Sequence, residues 1–188
     1  MAFLKVEEVE HLGFGSVGHN VLISSKASFY GADNIHIGNN VRIDDFCVLS
    51  AGKGGIYIGN YIHIAVYSSL IGAEKIVLKD YSNISSRVSI YSSNDDYSGL
   101  FMSNPMVPAE FTNVTHAPVI IGKHVIIGSG SIVLPGVSIN AGAAIGALSL
   151  VKRDCDEFTL YAGNPLKKIK ERQKDIEKLE SGFKRKFV

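Results

Sequence analysis

Tryptophan is absent from the 188 residues, methionine occurs three times, proline five times and cysteine twice. Cys47 and Cys155 lie far apart with no CxxC spacing, so neither a disulfide framework nor a zinc knuckle is encoded. An excess of one charge is lacking as well. Nineteen basic residues face 18 acidic ones, net +1, which removes the general electrostatic reason to expect nucleic acid or an anionic membrane as partner. The amino terminus carries Glu7, Glu8 and Glu10 where a signal peptide would be apolar, so no secretory or transit signal is expected. The 27 residues from Val125 to Val151 hold no charge, enough by length to span a bilayer. Five glycines, Pro135, Asn140 and four serines are scattered through them, which makes a membrane helix a poor reading.

What is present is a folded chain of one domain. Hydrophobic residues make up 46%, charged residues 20%, and mean hydropathy is +0.16, a balance that excludes disorder as the main state. From Ile121 the sequence divides into sixes: IGKHVI, IGSGSI, VLPGVS, INAGAA, IGALSL, VKRDCD. The first position is Ile121, Ile127, Val133, Ile139, Ile145 and Val151; the fifth is Val125, Ser131, Val137, Ala143, Ser149 and Cys155. Neither the 3.6 period of a helix nor plain alternation generates this. The register returns upstream in Ile37, Ile43 and Leu49, in Ile58, Ile64 and Leu70, and in Leu78, Ile84 and Ile90, with slips at Gly52–Gly55 and Ala73–Lys75. A period of six is a short strand plus a turn, and three units close a triangular coil. The first-position aliphatic points inward, the small fifth residue fits the corner, and Gly and Asn between them supply turn conformations. The expected fold is therefore an all-β solenoid, stable only as a stack. Cys47 and Cys155 are expected as small buried corner thiols.

The expected organisation is an arm or short helix over 1–20, with Val6, Val9 and Leu12 on one side, coils over 21–160, and a basic tail over 161–188. The register fails over 92–117, a stretch long enough for a loop to suggest function. Beyond it, Leu166, Ile169, Ile176 and Leu179 have helical spacing, which predicts a packed capping helix. From Pro165 onward nine basic residues face four acidic ones, the one strongly basic segment and a candidate anion site.

The repeats from Ile121, followed by Tyr161-Ala162-Gly163-Asn164-Pro165 and a basic segment, resemble the hexapeptide-repeat acyltransferases. The likeness is to the maltose and galactoside acetyltransferase branch and its relatives in surface-polysaccharide synthesis, over about residues 30–172. It implies a left-handed parallel β-helix with a long loop insertion and a C-terminal α-helix, a homotrimer, and acetyl-CoA as donor in the cleft between subunits, with no metal. It also implies a sugar or nucleotide-linked amino sugar as acceptor, and no nucleic-acid or membrane partner. Carried over by resemblance, Ser129 and Ala147 would line the pantetheine arm. Lys152, Arg153, Gly163, Asn164, Pro165, Lys167 and Lys170 would lie around the nucleotide end of the cofactor. Acetyl-CoA as donor and the absent signal imply a cytoplasmic, bacterial setting.

The family's histidine base is missing: its place falls near Asn94 or Asp95. Transfer to a hydroxyl needs a base and an oxyanion donor, whereas a neutral amine is itself a good nucleophile, so loss of the histidine is tolerable for an amino-sugar acceptor. Three candidate bases remain. His116 sits where the loop rejoins the coils. Asp95 occupies the base's own place, and a carboxylate serves if partial burial raises its pKa. His63 is outside the inward positions of its hexapeptide. Tyr91, Asn94 and Asp96 are candidate acceptor contacts, while His36 and His124 are expected at the surface. Two competing readings are an antibiotic-modifying O-acetyltransferase and a carbonic-anhydrase-like enzyme, which would need three histidines on one zinc; a third is a solenoid serving only as an assembly module.

Overall fold

The computed structural model describes residues 2–187. After a short helix α1, Val6–His11, the chain winds as a triangular solenoid whose three faces are parallel sheets. The first face runs from Ser16–Val17 through Ile35–Ile37, Ile56–Ile58, Ile76–Leu78 and Val119–Ile121 to Ser138–Ile139. The second runs from Leu22–Ile23 through Val41–Ile43, Ile62–Ile64, Asn83–Ile84, Ile126–Ile127 and Ala144–Ile145 to Thr159–Ala162. The third holds Ser28–Tyr30, Val48–Ala51, Ser69–Gly72, Ser89–Tyr91, Ile132–Val133 and Leu150–Val151.

The register follows the six-residue period. Ile58 stands between Ile37 and Leu78, Ile64 between Ile43 and Ile84, and Leu70 between Leu49 and Ile90. Every first-position aliphatic named above is buried, so each coil gives three side chains to one continuous apolar column. Since that surface is buried only between neighbouring coils, stacking and not any single coil supplies the stability. The fifth position is a tight inner corner. Two of its serines settle their hydroxyls on nearby carbonyls, Ser131 Oγ donating to Gly146 O at 3.0 Å and Ser68 Oγ to Ser85 O at 2.9 Å. Cys47 and Cys155 lie at such corners, fully buried and unpaired, and burial pushes both thiols up to about 11.

The fourth position turns the corner on left-handed backbone. Gly130 (φ 72°) and Gly142 (φ 69°) do so at no steric cost, but Phe46, Tyr61, Tyr67, Tyr81, Arg87, His124 and Leu148 share the same conformation. The slips at Gly52–Gly55 and Ala73–Lys75 fall on the corner between the third and first faces, where the Gly54 amide donates to Ala73 O at 2.8 Å.

Three expectations differ from the structure. The first coil begins at Ser16–Val17, which pairs with Ile35–Ile37, inside the stretch read as an arm; α1 buries Val9 while Val6 stays exposed. The segment from Leu166 does not begin a helix. Lys167–Glu171 is a strand antiparallel to Thr159–Ala162, because the last coil leaves an open sheet edge that a returning strand covers. Helix α2 spans Asp175–Phe187. It folds back so that His124, expected at the surface, is only 9% exposed at its side chain, with Nε2 2.7 Å from Glu180 Oε2.

Candidate active site

The corner between the second and third faces forms a continuous track of small residues. The Leu148 amide donates to Ser129 O at 2.9 Å, which sets Ala147 directly beneath Ser129, both exposed. A Cβ on Gly128 would lie 2.5 Å from the Ala147 amide nitrogen, so the two turns approach as closely as backbone allows. Below them the Gly163 amide donates to Ser149 Oγ at 2.9 Å, and the Leu150 amide to Gly163 O at 3.3 Å. Ser129, Ala147 and Gly163, though far apart in sequence, are thus stacked on one edge. Asn164 and Pro165 follow, exposed. Lys167 pairs across from Ala162 and Lys170 from Leu160, which puts the basic strand at the foot of the track. Lys152 and Arg153 are exposed on the next corner; Arg153 Nη2 donates to Leu166 O at 3.2 Å and ties the closing turn to the coil above. An exposed edge of small residues above a cationic foot suits a long, flexible ligand with phosphates at one end.

The same corner continues upward through Ser86, whose carbonyl accepts from the Gly130 amide at 3.0 Å, to Val66 and Asp45. Beside it on the second face, His63 Nε2 is 2.8 Å from Asp44 Oδ2, and Arg42 Nε donates to Asp44 Oδ1 at 2.7 Å. Asp44 is buried, while His63 is half exposed with Asn83 as its neighbour in the sheet. This orienting carboxylate was not among the residues singled out from sequence.

The long loop leaves the opposite edge of the third face. Its stem is a two-stranded antiparallel ladder, Ser93–Asn94 against Thr115–His116. The Ala73 amide donates to Ser93 Oγ at 2.8 Å, and Ser93 Oγ lies 2.8 Å from His116 Nδ1. The Asp96 carboxylate accepts from Ser98 N–H at 2.9 Å and Ser98 O–H at 2.6 Å, and this bonding holds it below the usual carboxylate range. Asp96 therefore shapes the loop. Asp95 is exposed, and among the described residues its carboxylate makes no hydrogen bond or ion pair. Tyr91 and Asn94 are half-buried at the stem. The structure brings Tyr91, Asn94, Asp95, Asp96 and His116 together, but at the far end of the third face from the Ser129–Ala147 track. His63 lies instead on the second face, beside the upward continuation of that corner. Among the described residues no group of three or more His, Cys, Asp or Glu side chains is arranged to hold a metal.

No family model matches the chain. Curated relatives do. The dTDP-4-amino-4,6-dideoxy-D-glucose acyltransferase of Escherichia coli is 65% identical over 98% of this chain and 96% of its own length. The chain belongs to the hexapeptide-repeat acyltransferases. WbbJ of E. coli strain K12, which carries the provisional name of a lipopolysaccharide biosynthesis O-acetyl transferase, is 30% identical over 79% of this chain and 74% of its own. Among solved structures, a serine-to-alanine variant of AntD, an N-acyltransferase from Bacillus cereus, superposes with a TM-score of 0.95 at 48% identity, covering 98% of each chain. It holds dTDP-4-amino-4,6-dideoxyglucose and coenzyme A. The solenoid of this acyltransferase is accordingly the left-handed parallel β-helix.

Proposed function

We propose that this acyltransferase moves an acetyl group from acetyl-CoA to the amine of a nucleotide-linked 4-amino-4,6-dideoxyhexose, in the synthesis of a cell-surface polysaccharide. The observation that carries the reading is the end-to-end 65% identity with an acyltransferase named for that acceptor. The Ser129–Ala147–Gly163 track supports the donor half. Pantetheine would lie along it, with the CoA phosphates toward Lys167 and Lys170 at its foot and Lys152 and Arg153 one corner away. The setting we propose is the bacterial cytoplasm, where acetyl-CoA is available; among the described residues no helix is long and apolar enough to cross a membrane.

The chemistry asks little of the protein. The neutral amine attacks the thioester carbonyl, forming the C–N bond, and the tetrahedral intermediate collapses by breaking C–S. One amine proton must leave, and the departing thiolate ends as the CoA thiol. The proton needs an acceptor and the amine needs holding. In the loop, Asp96 is engaged by Ser98 and His116 Nδ1 by Ser93, which leaves Asp95 as the group available to face the amine. His63, held by Asp44 on the second face beside the same corner, is the second candidate. Because the loop and the track lie at opposite ends of one face, a site that uses both takes the loop from one subunit and the track from its neighbour, as in a homotrimer.

The test is thiol release from acetyl-CoA with dTDP-4-amino-4,6-dideoxyglucose, its 4-hydroxy counterpart, free sugars and chloramphenicol as acceptors, and mass spectrometry of the product. Amine-selective turnover of the nucleotide sugar is the expected result. Turnover of hydroxyl acceptors alone would overturn the reading.

A further inference from the structure

Two corners of the solenoid carry ladders of stacked rings on left-handed backbone, and only one is covered. On the corner between the first and second faces, Tyr61, Tyr81 and His124 stack with centroids 5.1 and 5.0 Å apart. That ladder is closed by Phe183 of α2, edge-on to Tyr61 at 5.2 Å. On the corner between the second and third faces, Phe46 and Tyr67 stack at 4.8 Å and 16°. No ring of the described residues closes this second ladder, and the two side chains stay 44% and 51% exposed. A cation sits at each end. Lys26 Nζ lies 5.2 Å from the Phe46 centroid and Arg87 Cζ 5.3 Å from that of Tyr67.

Folding does not call for these side chains. Phe46, Tyr67 and Arg87 sit at φ 62°, 60° and 59°, where a bulky residue pays in backbone strain. Exposed rings also forgo burial. In the lower coils the same corner is turned by Gly130 and Leu148. Arg87, Tyr67 and Phe46 stand one, two and three coils above Gly130, on the edge that continues into Ser129 and Ala147. At the strand spacing of about 4.8 Å per coil, the rings lie about 10 to 14 Å above the donor track, a fitting reach for a sugar joined to a nucleoside through a diphosphate.

We propose that the Phe46–Tyr67 ladder, with Arg87 and Lys26, recognises the nucleotide of the acceptor: the pyrimidine base lies on the rings and the diphosphate faces the cations. Planar bases stack on aromatic side chains whatever their hydrogen-bonding edges, and a guanidinium over a ring is also a phosphate ligand. Lys26 is shared with Asp45 at 3.6 Å, so Arg87 carries the larger part. This inference rests on the proposed nucleotide-linked acceptor and adds where its nucleotide is held.

The experiment compares the wild type with Phe46→Asn, Tyr67→Asn and Arg87→Met. Asparagine accepts left-handed backbone, so the ring is removed without a new demand on the corner. Should either fail to fold by circular dichroism, leucine replaces it, since Leu148 occupies the same conformation. The expected result is a rise of about tenfold or more in the acceptor KM and in the dTDP inhibition constant for each lost ring, with the acetyl-CoA KM unchanged. Arg87→Met is expected to weaken dTDP more than thymidine. If the wild type uses the nucleotide sugar and is inhibited by dTDP, yet the ring variants match it, the ladder has no such role. If ring loss dissociates the oligomer, as sedimentation would read, the rings are a subunit contact and the inference is overturned. If dTDP does not inhibit the wild type and free amino sugars serve equally well, the acceptor reading itself fails.

Discussion

His124 Nε2 lies 2.7 Å from Glu180 Oε2, and the other oxygen of the same carboxylate is 2.6 Å from Lys123 Nζ and 2.7 Å from Lys184 Nζ. One glutamate thus fastens helix α2 to the solenoid. Burial would raise its pKa, but the hydrogen bonds from Lys123, Lys184 and His124 outweigh that and hold it at about 2, against 4.5 ordinarily. A carboxyl depressed in the folded state stabilises it fully above its unfolded pKa and loses that contribution as pH falls toward the folded value. Docking of α2 should therefore be insensitive to acid above about pH 4.5 and weaken progressively from there to about pH 2. Tyrosine fluorescence reads this cleanly, because there is no tryptophan and Tyr61 and Tyr81 lie under Phe183. Glu180→Gln should undock the helix at neutral pH and flatten that acid transition; an unchanged profile would show that the clamp does not hold it.

The core predictions concern two positions with opposite outcomes. Ile127 is fully buried between Ile84 and Ile145, and its truncation to alanine should cost about 2–5 kcal/mol in urea unfolding. Ser82 occupies an inner corner where other coils place Val41, Ile62 or Val125, and its buried hydroxyl has no partner among the described residues. Removing an unsatisfied buried polar atom relieves a desolvation penalty. Ser82→Ala should therefore be neutral or gain up to about 1 kcal/mol.

These two positions mark how much of the fold was legible. Ile127 and Ser82 obey the period of six, and a period is local information that survives without any contact being known. The fourth position carried a signal that went unread. It should hold Gly or Asn, so Phe46, Tyr67 and Tyr81 there were anomalies that pointed to stacked ladders. The Glu180 clamp could not be read. Its partners on the solenoid, His124 and Lys123, lie 56 and 57 residues away, and helical spacing alone places the helix too early. Asp44 was hidden for a different reason: a turn residue becomes an orienting carboxylate only once His63 is stacked one coil over. Of the candidate site, Ser129 and Ala147 were legible as a pair because the six-residue repeat sets them one coil apart on one edge, whereas Gly163 lies beyond the repeat and was carried only by the resemblance of its turn. The loop residues follow no repeat, so their distance from that edge appears only in three dimensions.

Ala147 tests the donor track. It is exposed, so a larger side chain there meets solvent and leaves the core intact. Ala147→Phe should raise the acetyl-CoA KM by about tenfold or more while thermal stability and dTDP inhibition hold. A matching change at the outward Lys53, on a different corner, should do nothing. Unchanged acetyl-CoA kinetics in Ala147→Phe would move the cofactor off this edge.

Asp95 and Asp96 are adjacent, yet only Asp96 is bonded within the loop, and kinetics can separate them. Asp96 is spent on the Ser98 hydroxyl and amide, so Asp96→Ala should loosen the loop and raise the acceptor KM, with partial rescue by Asp96→Asn, which keeps an acceptor oxygen. Asp95, proposed to face the amine, should behave otherwise. Asp95→Asn preserves shape and removes the charge and the proton acceptor, so kcat should fall about 10²–10⁴-fold, the usual span for general-base groups. CoA binding and the circular dichroism spectrum should not move. The subunit argument adds a second readout. If the loop of one protomer serves the track of its neighbour, then the impaired Asp95→Asn and Ala147→Phe chains, mixed under conditions that exchange subunits and assayed at acetyl-CoA well below the raised KM, should regain activity, because some interfaces pair an intact loop with an intact track. No recovery on mixing, with exchange demonstrated by mass spectrometry, would place loop and track in the same protomer. Full activity of Asp95→Asn alone would transfer the proton to His63, where Asp44→Asn becomes the variant to measure.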